Sequence, residues 1–271
     1  MENRPVRLIA TDVDGTLLNS GGILPERNLK AIRAAREQGI TVAIASGRFP
    51  ENVYVLLENY GLRCPIIGTN GAKIVDENLK LISETCMNQE TAFQVLETLI
   101  QMNADYFIFG DHCVCTSAAS KRHHSELSQG ERIKSLGIAY FRGPEQAREI
   151  VRGKVYKFFI GNSIPLQAVR ERLALVPGIE LTQSNNNNLE VMPRGVHKGA
   201  GVQKLAEVLS VPIAQVMTLG DENNDIPMLR LAGVSVAMGN GAEQAKEAAM
   251  YVTANNDACG FADAVEKYAL R

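Results

Sequence analysis

The stretch LIATDVDGTLLNS, residues 8–20, leads from an apolar, strand-like run into two aspartates and then a glycine. Asp12 and Asp14 are separated by one residue, so two negative charges lie together where a buried strand is expected to end. Buried charges are unfavourable unless they are paired, so this pair of carboxylates calls for a compensating cation. Because side chains alternate along a strand, we expect both carboxylates on the same side of it.

The composition of the 271-residue chain is that of an ordinary globular protein, with 45% hydrophobic and 21% charged residues. The formal net charge is −2 and no basic block occurs, which argues against nucleic-acid binding. No apolar run approaches the ~20 residues of a membrane span, and the N-terminus lacks the long apolar region of a secretory signal. The five cysteines form no C-x-x-C pair and are expected to be reduced thiols. We therefore expect a cytoplasmic protein.

Apolar strands alternate with helical patterns in two separated parts of the chain, which predicts a parallel sheet covered by helices on both faces. VRLIATD, TVAIAS and PIIGTNG are typical of buried strands, and AKIVDENLKLISE predicts a hairpin. The pattern resumes near Gly195, and the segment between the two parts predicts a smaller inserted α/β domain. We expect a Rossmann-like α/β core of residues 1–84 and 189–271 and an inserted α/β domain of residues 85–188.

Polar residues follow three of the predicted strands at their carboxyl ends, where open α/β sheets bind ligands. Asp12 and Asp14 follow the first strand, and Ser46 begins S-G-R after the second. The segment GDENND, residues 220–225, follows a strand-like run in the last part of the chain. These groups are therefore expected to meet at one edge of the sheet, although they are far apart in the chain.

Four carboxylates expected at this edge would together require a cation: those of Asp12, Asp14, Asp221 and Asp225. Hard oxygen ligands in an open site suit Mg²⁺. A calcium-binding loop is the competing interpretation, but it needs glycine at its sixth position, whereas Gly15 is the fourth residue from Asp12. We reject the calcium loop for that reason and because the segment follows a strand. A solvated acidic loop is the alternative for GDENND, which the strand-like VMTLG before it and the apolar IPML after it disfavour.

Other residues predict a site for an anion. Ser46 and Gly47 precede a predicted helix, where a hydroxyl and outward-pointing amides can seat a phosphate. Simple capping of that helix is the alternative for Ser46. Lys198 precedes another predicted helix and could neutralise phosphate oxygens, although most lysines lie at the surface. Asn224 can donate to an anion, and Asp225 can bind a metal-bound water or orient Lys198.

Four motifs resemble, in order, those of the haloacid dehalogenase (HAD) superfamily of phosphotransferases: D-V-D-G-T at residues 12–16, S-G-R at 46–48, Lys198, and G-D-E-N-N-D at 220–225. LLNSGGILPE, GTNGAKIVD and LEVMPRGVHKGAGV further resemble the Cof-type hydrolases, whose large cap is inserted between the second and third motifs. The resemblance extends over the whole core. For the cap, it rests on the size and position of the inserted segment alone. It implies a HAD-like core with a cap of the class IIB type.

The resemblance also implies a role for each matching residue. Asp12 is the expected nucleophile that forms an aspartyl-phosphate, and Asp14 is the expected acid and base. The phosphoryl oxygens are expected to be held by Ser46, Gly47, Lys198 and Asn224. The Mg²⁺ ligands are expected to be Asp12, the backbone carbonyl of Asp14, Asp221 and, directly or as an outer ligand, Asp225. The cap is expected to close over the leaving group and to choose the substrate, with Arg48 as a further candidate for that selection.

These roles predict a Mg²⁺-dependent phosphatase for small phosphorylated metabolites, with sugar phosphates as the first expectation. A phosphatase for flavin-type cofactor phosphates and a phosphomutase are the alternatives within the same chemistry. A noncatalytic protein that binds phosphorylated metabolites is the alternative from another class, and the presence of both Asp12 and Asp14 argues against it. The expected partner is a small phosphorylated metabolite, with no nucleic acid or membrane, and the chain is expected to be a monomer or weak homodimer.

Overall fold

The computed structural model describes residues 5–111, 114–117, 138–161, 163–184 and 187–270. The described strands are β1 (Leu8–Thr11), β2 (Thr41–Ala45), β3 (Ile66–Gly68), β4 (Lys73–Val75), β5 (Leu81–Glu84), β6 (Tyr106–Gly110), β7 (Val114–Ser117), β8 (Ile138–Phe141), β9 (Val155–Gly161), β10 (Ile179–Thr182), β11 (Asn188–Pro193), β12 (Val216–Gly220), β13 (Val234–Ala237) and β14 (Tyr251–Val252). The described helices are α1 (Glu26–Glu37), α2 (Pro50–Glu58), α3 (Gln89–Gln101), α4 (Pro144–Ile150), α5 (Leu166–Leu173), α6 (Lys198–Val208), α7 (Ile226–Leu231), α8 (Glu243–Ala248) and α9 (Gly260–Tyr268). They belong to two compact units, one of Met1–Ser83 with His197–Arg271 and one of Glu84–Val196.

The first unit contains an eight-stranded sheet in the order β14-β13-β12-β1-β2-β3-β4-β5. The strands from β14 to β3 pair in parallel, and β4 pairs antiparallel with β3. The predicted hairpin is present, because β5 lies beside β4 and the amide of Asp76 donates to the carbonyl of Lys80. β1 lies between β12 and β2, so Ala10 stands opposite both Thr218 and Ala43. The carboxyl ends of these three central strands therefore share one edge of the sheet.

Helices cover both faces of this sheet, as expected for parallel strands. Leu8 and Ala10 of β1 pack in a buried apolar cluster with residues of α6 and α7. Ile9 points to the opposite face and packs in a second cluster with residues of α1 and α9. Pro50 opens α2, where its fixed φ suits the first helical position and its missing N–H is not needed. The predicted parallel-sheet core is therefore confirmed.

The second unit contains a six-stranded sheet in the order β10-β11-β9-β6-β7-β8. Its pairs are antiparallel except for the parallel pair of β7 with β8. Alternate residues, such as Ile108 of β6 and Phe158 of β9, pack with α3, α4 and α5 in one buried cluster. The unit is therefore an α/β domain with its own hydrophobic core, as the inserted domain was expected to be.

The end of the second unit differs from the expectation, which placed the return to the first unit at residue 189. β11 pairs antiparallel with both β9 and β10, and Leu189 stands opposite Ile160. The unit consequently extends to Val196. The short apolar run LEVMP suits a strand of either sheet, and only strand pairing distinguishes them. The sequence patterns also did not predict β7, β8 or α4.

The sequence predicts no membrane-spanning segment and reduced cysteine thiols. Among the described residues, no helix combines the length and the apolar character needed to cross a membrane. Four cysteines are free thiols: Cys64, Cys86, Cys115 and Cys259. The fifth, Cys113, lies outside the described residues.

Candidate active site

Asp12 lies directly beyond the end of the central strand β1. Its amide donates to the carbonyl of Leu219 at 3.0 Å, which extends the pairing with β12 by one residue. The chain then turns sharply through Gly15, whose φ is +78°. Because the strand ends at Thr11, the alternation of side chains along a strand does not extend to Asp12 and Asp14, so the reason given for expecting them on the same side does not hold. The Asp12 side chain is buried, whereas that of Asp14 is 57% exposed.

Lys198, the first residue of α6, is 1% exposed and lies between two carboxylates. Its Nζ donates to Oδ1 of Asp12 at 2.5 Å and to Oδ1 of Asp225 at 2.6 Å. The preceding residue, His197, caps the helix, because its Nδ1 accepts from the amide of Ala200 at 3.0 Å. The alternative of a surface lysine is therefore excluded, and the helix start fixes where the ammonium group lies.

The loop after β12 is folded around its own acidic side chains. Oδ2 of Asp225 accepts from the amides of Asp221 at 2.9 Å and Glu222 at 3.0 Å. Thr16 donates its hydroxyl to Oδ1 of Asp221 at 2.6 Å, which ties the loop to the turn after β1. A Cβ at Gly15 would lie 2.2 Å from Oδ2 of Asp221, so only glycine permits this approach. Asp221 and Asp225 are buried, which excludes a solvated acidic loop.

Three carboxylates form one buried cluster: Asp12, Asp221 and Asp225 each offer an oxygen within 4.8 Å of the others. Burial raises the pKa of Asp12 to about 7, against the opposing effect of Lys198. Burial, followed by the charges of Asp12 and Asp225, raises the pKa of Asp221 to about 8. Burial opposes the charge of Lys198, but the two carboxylates beside it raise its pKa above the usual value. One ammonium group thus faces three carboxyl groups, and the cluster could hold a metal cation.

Asp14 is separate from this cluster and pairs with Arg48. Nε of Arg48 donates to Oδ2 of Asp14 at 2.8 Å, and Nη2 donates to Oδ1 at 2.5 Å. The carboxylate is exposed, so a substrate or a water molecule can reach it. The sequence predicted four carboxylates at this edge, but the buried cluster contains three, without the Asp14 side chain. The backbone carbonyl of Asp14, which the family resemblance named as a metal ligand, stays a prediction. The partner of Arg48 was not predicted.

The predicted phosphate-binding residues lie on neighbouring segments. Ser46 is buried after β2, and its Oγ accepts from the amide of Arg48 at 3.2 Å. Phe49 occupies the N-cap position of α2, so the alternative in which Ser46 caps that helix is wrong. Gly47 lies between Ser46 and Arg48. Asn224 is buried in the loop after β12, one residue before the partner of Lys198.

A further residue in this region was missed by the sequence analysis. Asn70 follows β3, and its backbone amide donates to the carbonyl of Ser46 at 2.9 Å. Its side-chain Oδ1 accepts from Nδ2 of Asn224 at 3.3 Å. Asn70 thus joins two of the predicted phosphate-binding segments. The run GTNG contained the available signal, because asparagine beside glycine often marks a turn with positive φ.

A family model, a relative and a solved structure each match nearly the whole chain, and all three are hydrolases or phosphatases. The sequence model of the family described as haloacid dehalogenase-like hydrolase matches residues 9–265. The 5-amino-6-(5-phospho-D-ribitylamino)uracil phosphatase YwtE of Bacillus subtilis is 30% identical over 284 aligned positions, covering 95% of this chain and 96% of that protein. A haloacid dehalogenase-like hydrolase structure from Bacillus subtilis has a TM-score of 0.88 at 28% identity, covering 97% of this chain and 99% of that one.

A third similarity concerns the fold. The structure of a sugar phosphatase of HAD subclass IIB has a TM-score of 0.85 at 24% identity, and the alignment covers 96% of this chain and 98% of that one. The match includes the inserted domain as well as the parallel-sheet core, because so little of either chain is left out. The architecture described above is therefore that of a subclass IIB protein.

Proposed function

The chain belongs to the haloacid dehalogenase-like hydrolases of the Cof type, and we propose that it is a Mg²⁺-dependent phosphatase of small phosphorylated metabolites. The enzyme class expected from the sequence, phosphoric monoester hydrolase, agrees with the phosphatase activity named for its relative. The observation that carries the proposal is the position of Lys198 between buried Asp12 and Asp225, with Asp14 exposed nearby. This arrangement provides a nucleophile, a cation beside it and a separate group for proton transfer.

The buried cluster fits a divalent cation, because its acidic groups outnumber the single ammonium group that neutralises them. We infer that Asp12 and Asp221 would be direct ligands, together with the backbone carbonyl of Asp14. Both oxygens of Asp225 already accept hydrogen bonds, so its role is to hold Lys198 and the loop, or to act as an outer ligand. When bound, Mg²⁺ would keep Asp12 and Asp221 ionised and stabilise negative charge on the transferring phosphoryl group.

In the first step, a carboxylate oxygen of Asp12 attacks phosphorus and the bond between phosphorus and the ester oxygen breaks. Protonated Asp14 gives its proton to the leaving alkoxide, so an alcohol departs and an aspartyl-phosphate remains. Lys198 holds Asp12 in place for this attack, since its Nζ lies 2.5 Å from Oδ1. Ser46, Gly47 and Asn224 donate to the phosphoryl oxygens.

In the second step, a water molecule attacks the phosphorus of the aspartyl-phosphate. Asp14, now a carboxylate, takes a proton from that water as the new bond forms. The bond between phosphorus and Asp12 breaks, which releases inorganic phosphate and restores the Asp12 carboxylate. The exposure of Asp14 supports this double role, because both the leaving alcohol and the incoming water must reach it.

We propose phosphorylated sugars and sugar alcohols as the substrate class and the cytoplasm as the location of a monomer or weak homodimer. A second candidate is a phosphorylated ribitylaminouracil, which is favoured because a relative with 30% identity is named for that substrate. The two candidates overlap chemically, since the phosphoryl group of the relative's substrate is carried by a sugar alcohol.

A phosphate-release assay tests the proposal. The purified protein is incubated with Mg²⁺ and a panel of sugar, sugar-alcohol and nucleotide phosphates, with Asp12→Asn as the matched inactive control. We expect Mg²⁺-dependent release of inorganic phosphate by the wild type and none by the control. Full activity in a chelator would exclude the role of the metal. Formation of an isomeric sugar phosphate without release would identify a phosphomutase.

A further inference from the structure

The turn after β3, Thr69–Gly71, has an unusual backbone. Its three residues have positive φ values in succession: Thr69 at +48°, Asn70 at +54° and Gly71 at +99°. Glycine adopts this region without cost and asparagine tolerates it, but a β-branched threonine does so only under strain. Strained backbone of this kind persists where the surrounding structure requires it, and it is concentrated at functional sites.

Backbone contacts fasten the turn to the segment that carries Ser46. The amide of Thr69 donates to the carbonyl of Arg48 at 2.7 Å, and the amide of Asn70 donates to the carbonyl of Ser46 at 2.9 Å. The S-G-R segment is thus held at both of its ends by consecutive amides of the turn. Neither bond involves a side chain, so the backbone conformation alone secures this contact.

The same turn packs against the helix that carries Lys198. A Cβ at Gly71 would lie 2.6 Å from the carbonyl oxygen of His197, and a Cβ at Gly201 would lie 3.1 Å from Cα of Gly71. Glycine at both positions permits the backbone of the turn to approach the first turn of α6. The place of the first turn of α6, and with it the place of Lys198, therefore depends on this close contact.

The side chain of Asn70 makes the third connection, to the loop after β12. Its Oδ1 accepts from Nδ2 of Asn224 at 3.3 Å, and both side chains are buried. Among the described residues, Oδ1 of Asn224 and the Thr69 hydroxyl are buried without a hydrogen-bond partner. Buried polar atoms of this kind are rare unless something outside the protein satisfies them. The Thr69 hydroxyl can donate to a phosphoryl oxygen, whereas Oδ1 of Asn224 accepts only and needs a donor such as a bound water. The amide nitrogen of Asn224 carries two hydrogens, so it can donate one to Asn70 and the other to a phosphoryl oxygen.

We propose that Asn70 is a positioning residue for the phosphoryl site, acting through Asn224. Its backbone amide fixes Ser46, and its side chain orients the Asn224 amide toward the phosphoryl oxygens. The turn Thr69–Gly71 thereby holds the segments of Ser46, Lys198 and Asn224 in one arrangement. This inference rests on the proposed function for the identity of the ligand, but the orienting contact can be tested by binding alone.

Substitution of Asn70 by glycine removes the side-chain contact while keeping a residue that readily adopts positive φ. We expect Asn70→Gly to weaken the binding of orthovanadate or inorganic phosphate, measured by calorimetry with Mg²⁺, and to lower kcat/KM, each on the order of tenfold. Asn103 also has positive φ, at +52°, and is exposed in the second unit. Asn103→Gly is therefore the matched control and should change neither quantity.

A double-mutant cycle separates a positioning role from a merely structural one. If Asn70 acts through Asn224, adding Asn70→Gly to Asn224→Ala should have little further effect on anion binding or kcat/KM. A full and additive loss in the double variant, or an Asn70→Gly variant that behaves as Asn103→Gly does, would overturn the inference. Thermal melting of each variant checks that the fold is retained. A wild type that binds vanadate but releases no phosphate would refute the proposed phosphatase and still allow the anion-binding cycle to decide the role of Asn70.

Discussion

Among the residues that the structure describes, each unit contains one fully buried lysine, and the two lysines have different partners. In the second unit, Nζ of Lys157 lies 2.8 Å from Oε2 of Glu190 and 4.3 Å from the centre of the Phe109 ring. Ser184 donates to the other carboxylate oxygen, Oε1, at 2.8 Å. In the first unit, Lys198 binds two carboxylates, and a third lies in the same cluster.

The difference shows that burial of an ion pair does not by itself identify a reactive site. Lys157 and Glu190 balance one another, and both are hydrogen-bonded or packed within the second unit. The cluster around Lys198 keeps an excess of acidic groups, with the pKa values of Asp12 and Asp221 raised by burial. This excess of acidic groups is the feature on which the proposed cation site rests.

The largest effect is expected from Asp12→Asn. The substitution keeps the shape of the side chain but removes the nucleophilic carboxylate, so turnover should fall below detection. Circular dichroism and thermal melting should show a folded protein. Hydrolysis at the wild-type rate by this variant would contradict covalent catalysis.

Lys198→Met should lower kcat by about 10²–10³-fold, because a preorganised positive charge beside the transferring group is lost. Restoring the charge balance with the double variant Lys198→Met/Asp225→Leu should not recover turnover. The measurement is steady-state phosphate release at saturating Mg²⁺. Recovery of activity in the double variant would show that Lys198 serves only to neutralise Asp225.

Lys157→Met should act on stability instead. It removes the ion-pair partner of the buried Glu190 carboxylate, and breaking a buried ion pair from one side typically costs about 3–5 kcal/mol. The double variant Lys157→Met/Glu190→Leu removes both charges and should recover most of the free energy of unfolding, as measured by denaturant titration. A double variant as unstable as the single one would show that the pair does more than balance its own charges.

The last effect is a pH dependence of stability in the metal-free protein. The pKa values of Asp12 and Asp221, about 7 and about 8, lie above their ordinary value of 3.8, so the folded chain binds these protons more tightly than the unfolded chain. Their contribution to stability is complete below about pH 4 and is lost as pH rises through the folded-state values. The gain in Tm on adding Mg²⁺ should therefore grow from about pH 5 to about pH 8. Asp221→Asn is the matched control, and in this variant the gain in Tm on adding Mg²⁺ should depend less on pH. A gain in Tm of the wild type that becomes smaller as pH rises would contradict the prediction.

The meeting of Asp12 and Asp221 could be predicted from the sequence, because both follow strands whose carboxyl ends share one edge of a parallel sheet. The place of Lys198 was expected from its position before a helix and from the family resemblance. The direction of Asp14 could not be predicted, since it depends on where β1 ends and on the turn at Gly15. The role of Asn70 also escaped prediction, because its contact with Asn224 joins residues that are distant in the chain. The end of the second unit depended on strand pairing, which the apolar pattern of LEVMP does not encode.

Trapping the covalent intermediate tests whether Asp12 itself carries the phosphoryl group during turnover. Asp14→Asn should slow the release of phosphate from the intermediate, and para-nitrophenyl phosphate has a leaving group that needs no proton from Asp14. Mass spectrometry of the acid-quenched variant should find one added phosphoryl group on the peptide that contains Asp12, and none when Asp12→Asn is also present. Phosphate release with no labelled peptide, or a label on a different residue, would contradict the proposed mechanism.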